Sequence, residues 1–150
     1  MEIPVRTKRL TGDDRALARR TFQLMAEVFE EKSTALSDHY LDELLRRGDF
    51  WAFAALYGDE VVGGITGYTL PLTRTESSEV FIYDIAVHAG HQRRGVGRRL
   101  VSALRDGAAA LGIHEVFVPA DNDDTHALDF YRRLGGEPSP VTFFTFSEPR

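Results

Sequence analysis

The chain has 150 residues, 23 acidic against 18 basic for a formal net charge of −5, and no cysteine. That size fits a single domain over residues 1–150 with its own core, and the missing thiols exclude a disulfide framework, a cysteine-based zinc site and a thiol nucleophile. The start, Met1-Glu2-Ile3-Pro4-Val5-Arg6, lacks the apolar stretch of a secretory leader, and no later run approaches membrane-spanning length, so a cytoplasmic protein is the expectation.

In chain order, Val5 to Leu10 reads as a short strand. Asp13 or Asp14 can cap a helix whose positions Leu17, Thr21, Leu24, Met25 and Val28 repeat at the helical period. A second helix is predicted from Ser37 to Gly48, with Tyr40, Leu41, Leu44 and Leu45 facing inward. Phe50 to Leu56 and Val61 to Leu70 form a hairpin around Gly58-Asp59, and residues 71–78 are a polar loop. Val80 to Val87 is apolar on both faces, as a central strand is. The next helix repeats Val96, Leu100, Val101, Leu104, Ala108 and Leu111 and stops at Gly112. Glu115 to Ala120 is a strand, Thr125 to Leu134 a helix closed by Gly135-Gly136, and Val141 to Phe146 a last strand. This β-α-α-β-β-β-α-β-α-β order predicts an α/β sandwich with mixed strand pairing.

Between the central strand and the helix after it lies Gln92-Arg93-Arg94-Gly95-Val96-Gly97. A helix start carries unpaired N–H groups and partial positive charge, which ordinarily favour acidic side chains. Arg93, Arg94, Arg98 and Arg99 crowd this one instead. A multiply charged anion docking there makes the arrangement sensible, and the two glycines let the backbone come close to it. A solvated basic face and a nucleic-acid patch are the alternatives, and the acidic remainder of the chain weighs against the second.

Asp84 is a lone carboxylate in an apolar strand, so desolvation raises its pKa unless donors surround it. It suits a general base, or it is held by backbone N–H groups at a strand irregularity. Tyr131 follows the helical spacing of a core aromatic. Asp121, Asp123 and Asp124 place three carboxylates within one short stretch, either as a cation pocket or as a solvated loop and helix cap.

The strand followed by Gln-x-x-Gly-x-Gly resembles the acetyl-coenzyme A pyrophosphate loop of the GCN5-related N-acetyltransferase superfamily. Glu79-Val-Phe-Ile-Tyr-Asp-Ile-Ala-Val87 with His91-Gln92-Arg93-Arg94-Gly95 is most similar to the aminoglycoside 3-N-acetyltransferases, as are Tyr40-Leu41-x-x-Leu44-Leu45, Val61-Val62-Gly63, Tyr68-x-Leu70-Pro71 and Tyr131-x-x-Leu134-Gly135. The resemblance implies the superfamily's fold, a mixed, mostly antiparallel central sheet flanked by helices, with a splay between the fourth and fifth strands. It implies acetyl-CoA as cosubstrate and no metal, its pyrophosphate held by Gln92, Arg93, Arg94, Gly95, Val96, Gly97 and Arg98. The backbone of Ile85, Ala86 and Val87 would bond pantetheine at a strand bulge. Asp84 would act as base and Tyr131 as proton donor to the leaving thiolate. Glu79, Tyr83, Asp121, Asp123 and Asp124 would bind the acceptor.

On this likeness the acetyl group goes to the 3-amino group of an aminoglycoside by direct attack in a ternary complex, in a homodimeric enzyme without nucleic-acid or membrane partners. No Gly-x-Ser-x-Gly or cysteine offers a covalent route. A polyamine or peptide acceptor, or a CoA-binding sensor with a dead acceptor site, are the competing readings. Here Asp124 stands where the superfamily often has Asn, and Gly136 where it usually has Phe.

Overall fold

In the computed structural model, which describes residues 4–32 and 34–149, the apolar run Phe50–Tyr57 becomes a strand buried on both faces, and the first part of the chain is built around it. The elements are β1 (Val5–Arg9), α1 (Arg15–Val28), α2 (Asp38–Arg46), β2 (Phe50–Tyr57), β3 (Glu60–Pro71), β4 (Ser78–Val87), a 3₁₀ turn (Ala89–His91), α3 (Val96–Ala110), β5 (Val116–Phe117) and α4 (Thr125–Arg133). They fall into two compact units that divide after Pro119.

The first unit holds a five-stranded sheet in the order β1-β2-β3-β4-β5, antiparallel except for the parallel β4–β5 pair. The fold class is the predicted one. Its two faces are separated by the pleat. On one, Phe50, Ala52, Ala54 and Leu56 meet Leu10, Ala18 and Leu45, with Leu17, Phe22, Leu44 and Tyr68 packed around them, so α1 and α2 cover this face. On the other, Trp51 lies under α3 with 1 % of its surface exposed, its Nε1 donating to Thr69 Oγ1 at 2.7 Å. Arg9 places its guanidinium 3.9 Å from the same ring centroid.

Helix starts are set as the sequence implies in one case and not in another. Ser37 accepts from Tyr40 N–H at 3.1 Å and caps α2. Asp14 holds the N-cap position of α1, but its carboxylate turns back to accept from Thr11 N–H at 2.8 Å and Lys8 Nζ at 3.1 Å. Arg15 and Arg19 then pair with Asp42 and Asp38 to join α1 to α2. Tyr40, expected inward, is 55 % exposed.

Gly107 marks where α3 presses on the sheet, since a Cβ there would lie 2.8 Å from Trp51 Cζ3. Gly107→Ala is expected to destabilise by about 1–3 kcal/mol through overpacking, even though alanine is the better helix former by about 1 kcal/mol. Urea unfolding checks it. A midpoint at or above that of the parent chain would contradict the close packing.

In the second unit, Asp124 caps α4 by accepting from Ala127 N–H at 3.0 Å. The helix ends with Gly135 at φ 93°, Gly135 N–H reaching Arg132 O at 3.0 Å and Gly136 N–H reaching Tyr131 O at 2.9 Å, the two bonds of a Schellman cap. A Cβ at Gly136 would stand 3.0 Å from Tyr131 O, which accounts for glycine at that place.

Two predicted strands are corrected. The strand expected over Glu115 to Ala120 shrinks to Val116–Phe117, and the one expected over Val141 to Phe146 is absent among the described residues. Strand propensity alone does not make a strand, because the backbone groups need a hydrogen-bonded neighbour. Val141, Phe143, Phe144 and Phe146 have none in the sheet and are exposed.

Candidate active site

Register on β4 decides which side chains meet. Thr66 pairs with Asp84 and Gly67 with Ile82, leaving Tyr83 as an extra residue on β4. Such a bulge bends the strand and re-aims its side chains. Ile82 remains buried, while the Tyr83 ring sits 6.2 Å from Tyr68 and 5.8 Å from Phe81, on the face that also carries Asp84. The Tyr-Asp pair of the sequence is thus two consecutive residues turned to one side. The irregularity falls at Tyr83, earlier than the Ile85 to Val87 stretch where it was expected; those three pair in register with Ile65, Gly64 and Gly63.

Burial pushes the Asp84 carboxyl above the ordinary aspartate range, and the negative charge of Glu31, just beyond the end of α1, pushes it further. Among the described residues no hydrogen bond or ion pair offsets either effect. Asp84 is therefore not an aspartate held by backbone N–H groups.

Beside Asp84 runs a line of rings that the sequence reading did not assemble. Phe81 stacks on Phe117 of β5 at 5.1 Å, Tyr83 bridges Phe81 to Tyr68, and Tyr68 leans on Phe50 at 5.4 Å. Tyr83 is 61 % and Phe117 41 % exposed. The signal available in sequence was the aromatic content of strands read separately; their pairing is what joins them.

Pairing of β4 with β5 stops at Phe81↔Phe117. From Ile82 to Val87 the β5 side of β4 faces no strand among the described residues, so Ile85, Ala86 and Val87 border the gap that the family resemblance implies.

The gap leads to the arginine-rich turn. Arg93 has φ 64° and Gly95 φ 80°, and α3 begins with no side-chain cap and no acid in its first turn. A non-glycine residue held in the left-handed region stores strain of the kind found at ligand clamps. Alternating left-handed residues also turn successive N–H groups into one concavity, an anion-binding nest at a helix N-terminus. The space where a Gly95 Cβ would stand is open. Gln92 ties the turn to β4 by donating from Nε2 to Val87 O at 3.0 Å. Arg93, Arg94 and Arg98 flank it, whereas Arg99 is spent elsewhere, donating to Val5 O at 3.0 Å. Beneath the turn His91 packs against Tyr57 at 5.4 Å and His88 at 5.8 Å, its Nδ1 buried without a hydrogen-bond partner among the described residues.

Asp84, Tyr83 and Glu79 therefore share β4, and the anion turn follows from its end. Tyr131, Asp121, Asp123 and Asp124 belong to the second unit. There Tyr131 lies 5.1 Å from Phe130, and Asp124 is engaged in capping.

This geometry agrees with the relatives of the chain. It is 32 % identical over 122 residues, 75 % of this chain and 74 % of that protein, to the Uncharacterized N-acetyltransferase YvbK of Bacillus subtilis (strain 168). It superposes with a TM-score of 0.88 on the crystal structure of an aminoglycoside acetyltransferase, meta-AAC0020, from an uncultured soil metagenomic sample in complex with sisomicin, at 34 % identity over 96 % of this chain and 97 % of that one. With HMB0005, another aminoglycoside acetyltransferase from an uncultured soil metagenomic sample, the TM-score is 0.90 at 30 % identity, over 97 % of this chain and 99 % of the other. The family model described as Acetyltransferase (GNAT) family matches residues 16–136, spanning the bulged strand, the gap and the anion turn, and the chain belongs to that family.

Proposed function

We propose that this N-acetyltransferase moves the acetyl group of acetyl-CoA to the 3-amino group of an aminoglycoside. The observation that carries the reading is Asp84, an unpaired carboxylate of raised pKa beside exposed rings at the edge of the β4–β5 gap. The kinship to two aminoglycoside acetyltransferases at 30 % identity or more supports the acceptor class. The 3-amino position rests on the likeness of Glu79 to Val87 and of the following turn.

The residues present fit acetyl-CoA. A pyrophosphate suits the uncapped start of α3, the open space at Gly95 and the guanidinium groups of Arg93, Arg94 and Arg98. The β5-facing side of Ile85 to Val87, whose other side pairs with β3, suits an amide-bearing chain laid along the gap. When bound, acetyl-CoA supplies an acyl group already activated as a thioester.

The acceptor arrives as an ammonium, and only the neutral amine can attack. Asp84 takes that proton, at a strength its burial and Glu31 have raised toward the task. The new C–N bond forms as the C–S bond breaks, and Tyr131 hands a proton to the departing sulfur. Asp121, Asp123 and the Asp124 oxygen not used in capping add negative charge for the remaining ammonium groups. In this reading the enzyme is a cytoplasmic homodimer.

Acetyl-CoA turnover measured side by side on gentamicin-type aminoglycosides, linear polyamines and peptides tests the acceptor. Highest kcat/KM is expected for the aminoglycosides. Preference for a peptide amine would overturn the proposal while leaving the family intact.

A further inference from the structure

The second unit, Ala120–Arg150, is shorter than the roughly 40 residues below which a chain rarely builds a core of its own. None of its described side chains is buried. Ala127, Phe130, Tyr131 and Leu134 recur at helical spacing along α4, and Val141, Phe143, Phe144 and Phe146 are exposed, Phe146 to 96 %. Residues 138–147 carry no charge, and Pro140 stands just before the apolar run, a place where proline is tolerated at a strand start. The sheet of the first unit has the complementary deficit. β5 is its last strand and pairs with β4 alone among the described residues, with Phe117 41 % exposed on it. An open edge of this kind takes up an extended segment by hydrogen bonding along the backbone.

An open edge and an unpaired strand-like segment, each present once per chain, satisfy one another in a closed two-fold pair. We infer that two copies of this chain exchange their second units, with residues 138–147 of each copy lying along β5 of the other. The three phenylalanines alone bury roughly 450 Å² per copy at about 150 Å² each, roughly 900 Å² over the symmetric pair before α4 is counted, against the about 1,000 Å² that a specific interface clears. A different protein seated on the phenylalanines would leave each β5 edge open. The consequence for catalysis rests on the proposed function and deepens it: each site takes Asp84 and the anion turn from one copy, and Tyr131, Asp121 and Asp123 from the other.

Light scattering on the eluted parent enzyme is expected to give twice the chain mass, and Phe144→Asp, which puts a charge into the exchanged strand, the mass of one chain. A second test mixes two weakened variants. Asp84→Asn and Tyr131→Ala are each assayed alone for acetyl-CoA turnover, then unfolded together in urea and refolded as an equal mixture. About half of the resulting dimers hold one copy of each, and in those the exchange builds one site with both changes and one with neither. The mixture should recover roughly a quarter of the parent activity, above the mean of the two variants alone. Sites completed within one chain would each carry one of the two changes, so no recovery would overturn the inference. So would a single-chain mass for the parent, a dimeric Phe144→Asp, or near-parent turnover by Tyr131→Ala. Failure of the parent to acetylate any amine offered would overturn the proposed function and not the exchange, which the two masses test without an acceptor.

Discussion

Asp84→Asn is expected to lower turnover by roughly 10²–10⁴, the usual scale for one general base, with acetyl-CoA affinity nearly unchanged. The amide keeps the shape of the carboxylate but cannot take the ammonium proton. In the parent enzyme the rate should climb with pH to a plateau through a pKa above the ordinary aspartate range, because protonated Asp84 is inactive and both burial and Glu31 hold the proton on. The same shift affects stability. A carboxyl whose folded pKa exceeds its unfolded one stabilises the fold below the unfolded value and loses that contribution as pH rises through the folded value. The Asn variant should therefore gain in thermal midpoint relative to the parent at pH 7 compared with pH 4. Near-normal turnover by the folded variant would return Asp84 to a structural role.

Gly95→Val should weaken CoA binding by roughly 10- to 100-fold. A β-branched residue at φ 80° is strained by about 1–3 kcal/mol, and the turn relaxes out of its cradle unless binding pulls it back. The added side chain also fills the open space in front of the α3 N-terminus. Isothermal titration with CoA reads the loss directly, while KM for the acceptor should move little. An unchanged CoA affinity would place the pyrophosphate elsewhere.

The parts of the fold written as local periodicity were legible in the sequence. Leu41 and Leu45 on one side of α2, the two strand-like runs on either side of Gly58-Asp59 and the spacing from Val96 to Ala108 each settle an element from its own residues. Asp84 was legible for the same reason, as a charge where the pattern calls for an apolar side chain. What depends on pairing was not. The bulge at Tyr83 is a mismatch of register between two strands, and it alone turns consecutive residues to the same face. The line from Phe50 through Tyr68, Tyr83 and Phe81 to Phe117 draws on four strands.

Competition for partners explains the remaining differences. Asp14 prefers Thr11 and Lys8 to the helix it begins, and Arg99 prefers the Val5 carbonyl to the anion turn. Asp124, grouped by sequence with Asp121 and Asp123, has one oxygen on Ala127 N–H. The Val141 to Phe146 stretch has the composition of a strand without a neighbour to pair with in the described sheet. Arg93, Arg94 and Arg98 at the α3 start have no such partner within the chain among the described residues.

Product analysis tests the central claim most directly. With acetyl-CoA and sisomicin as substrates, a single added acetyl group is expected by mass spectrometry, assigned by two-dimensional NMR to the 3-amino nitrogen, and formed roughly 10²–10⁴ more slowly by Asp84→Asn. An acetyl group on a different nitrogen would contradict the position, and no CoA-dependent product at all would contradict the acceptor.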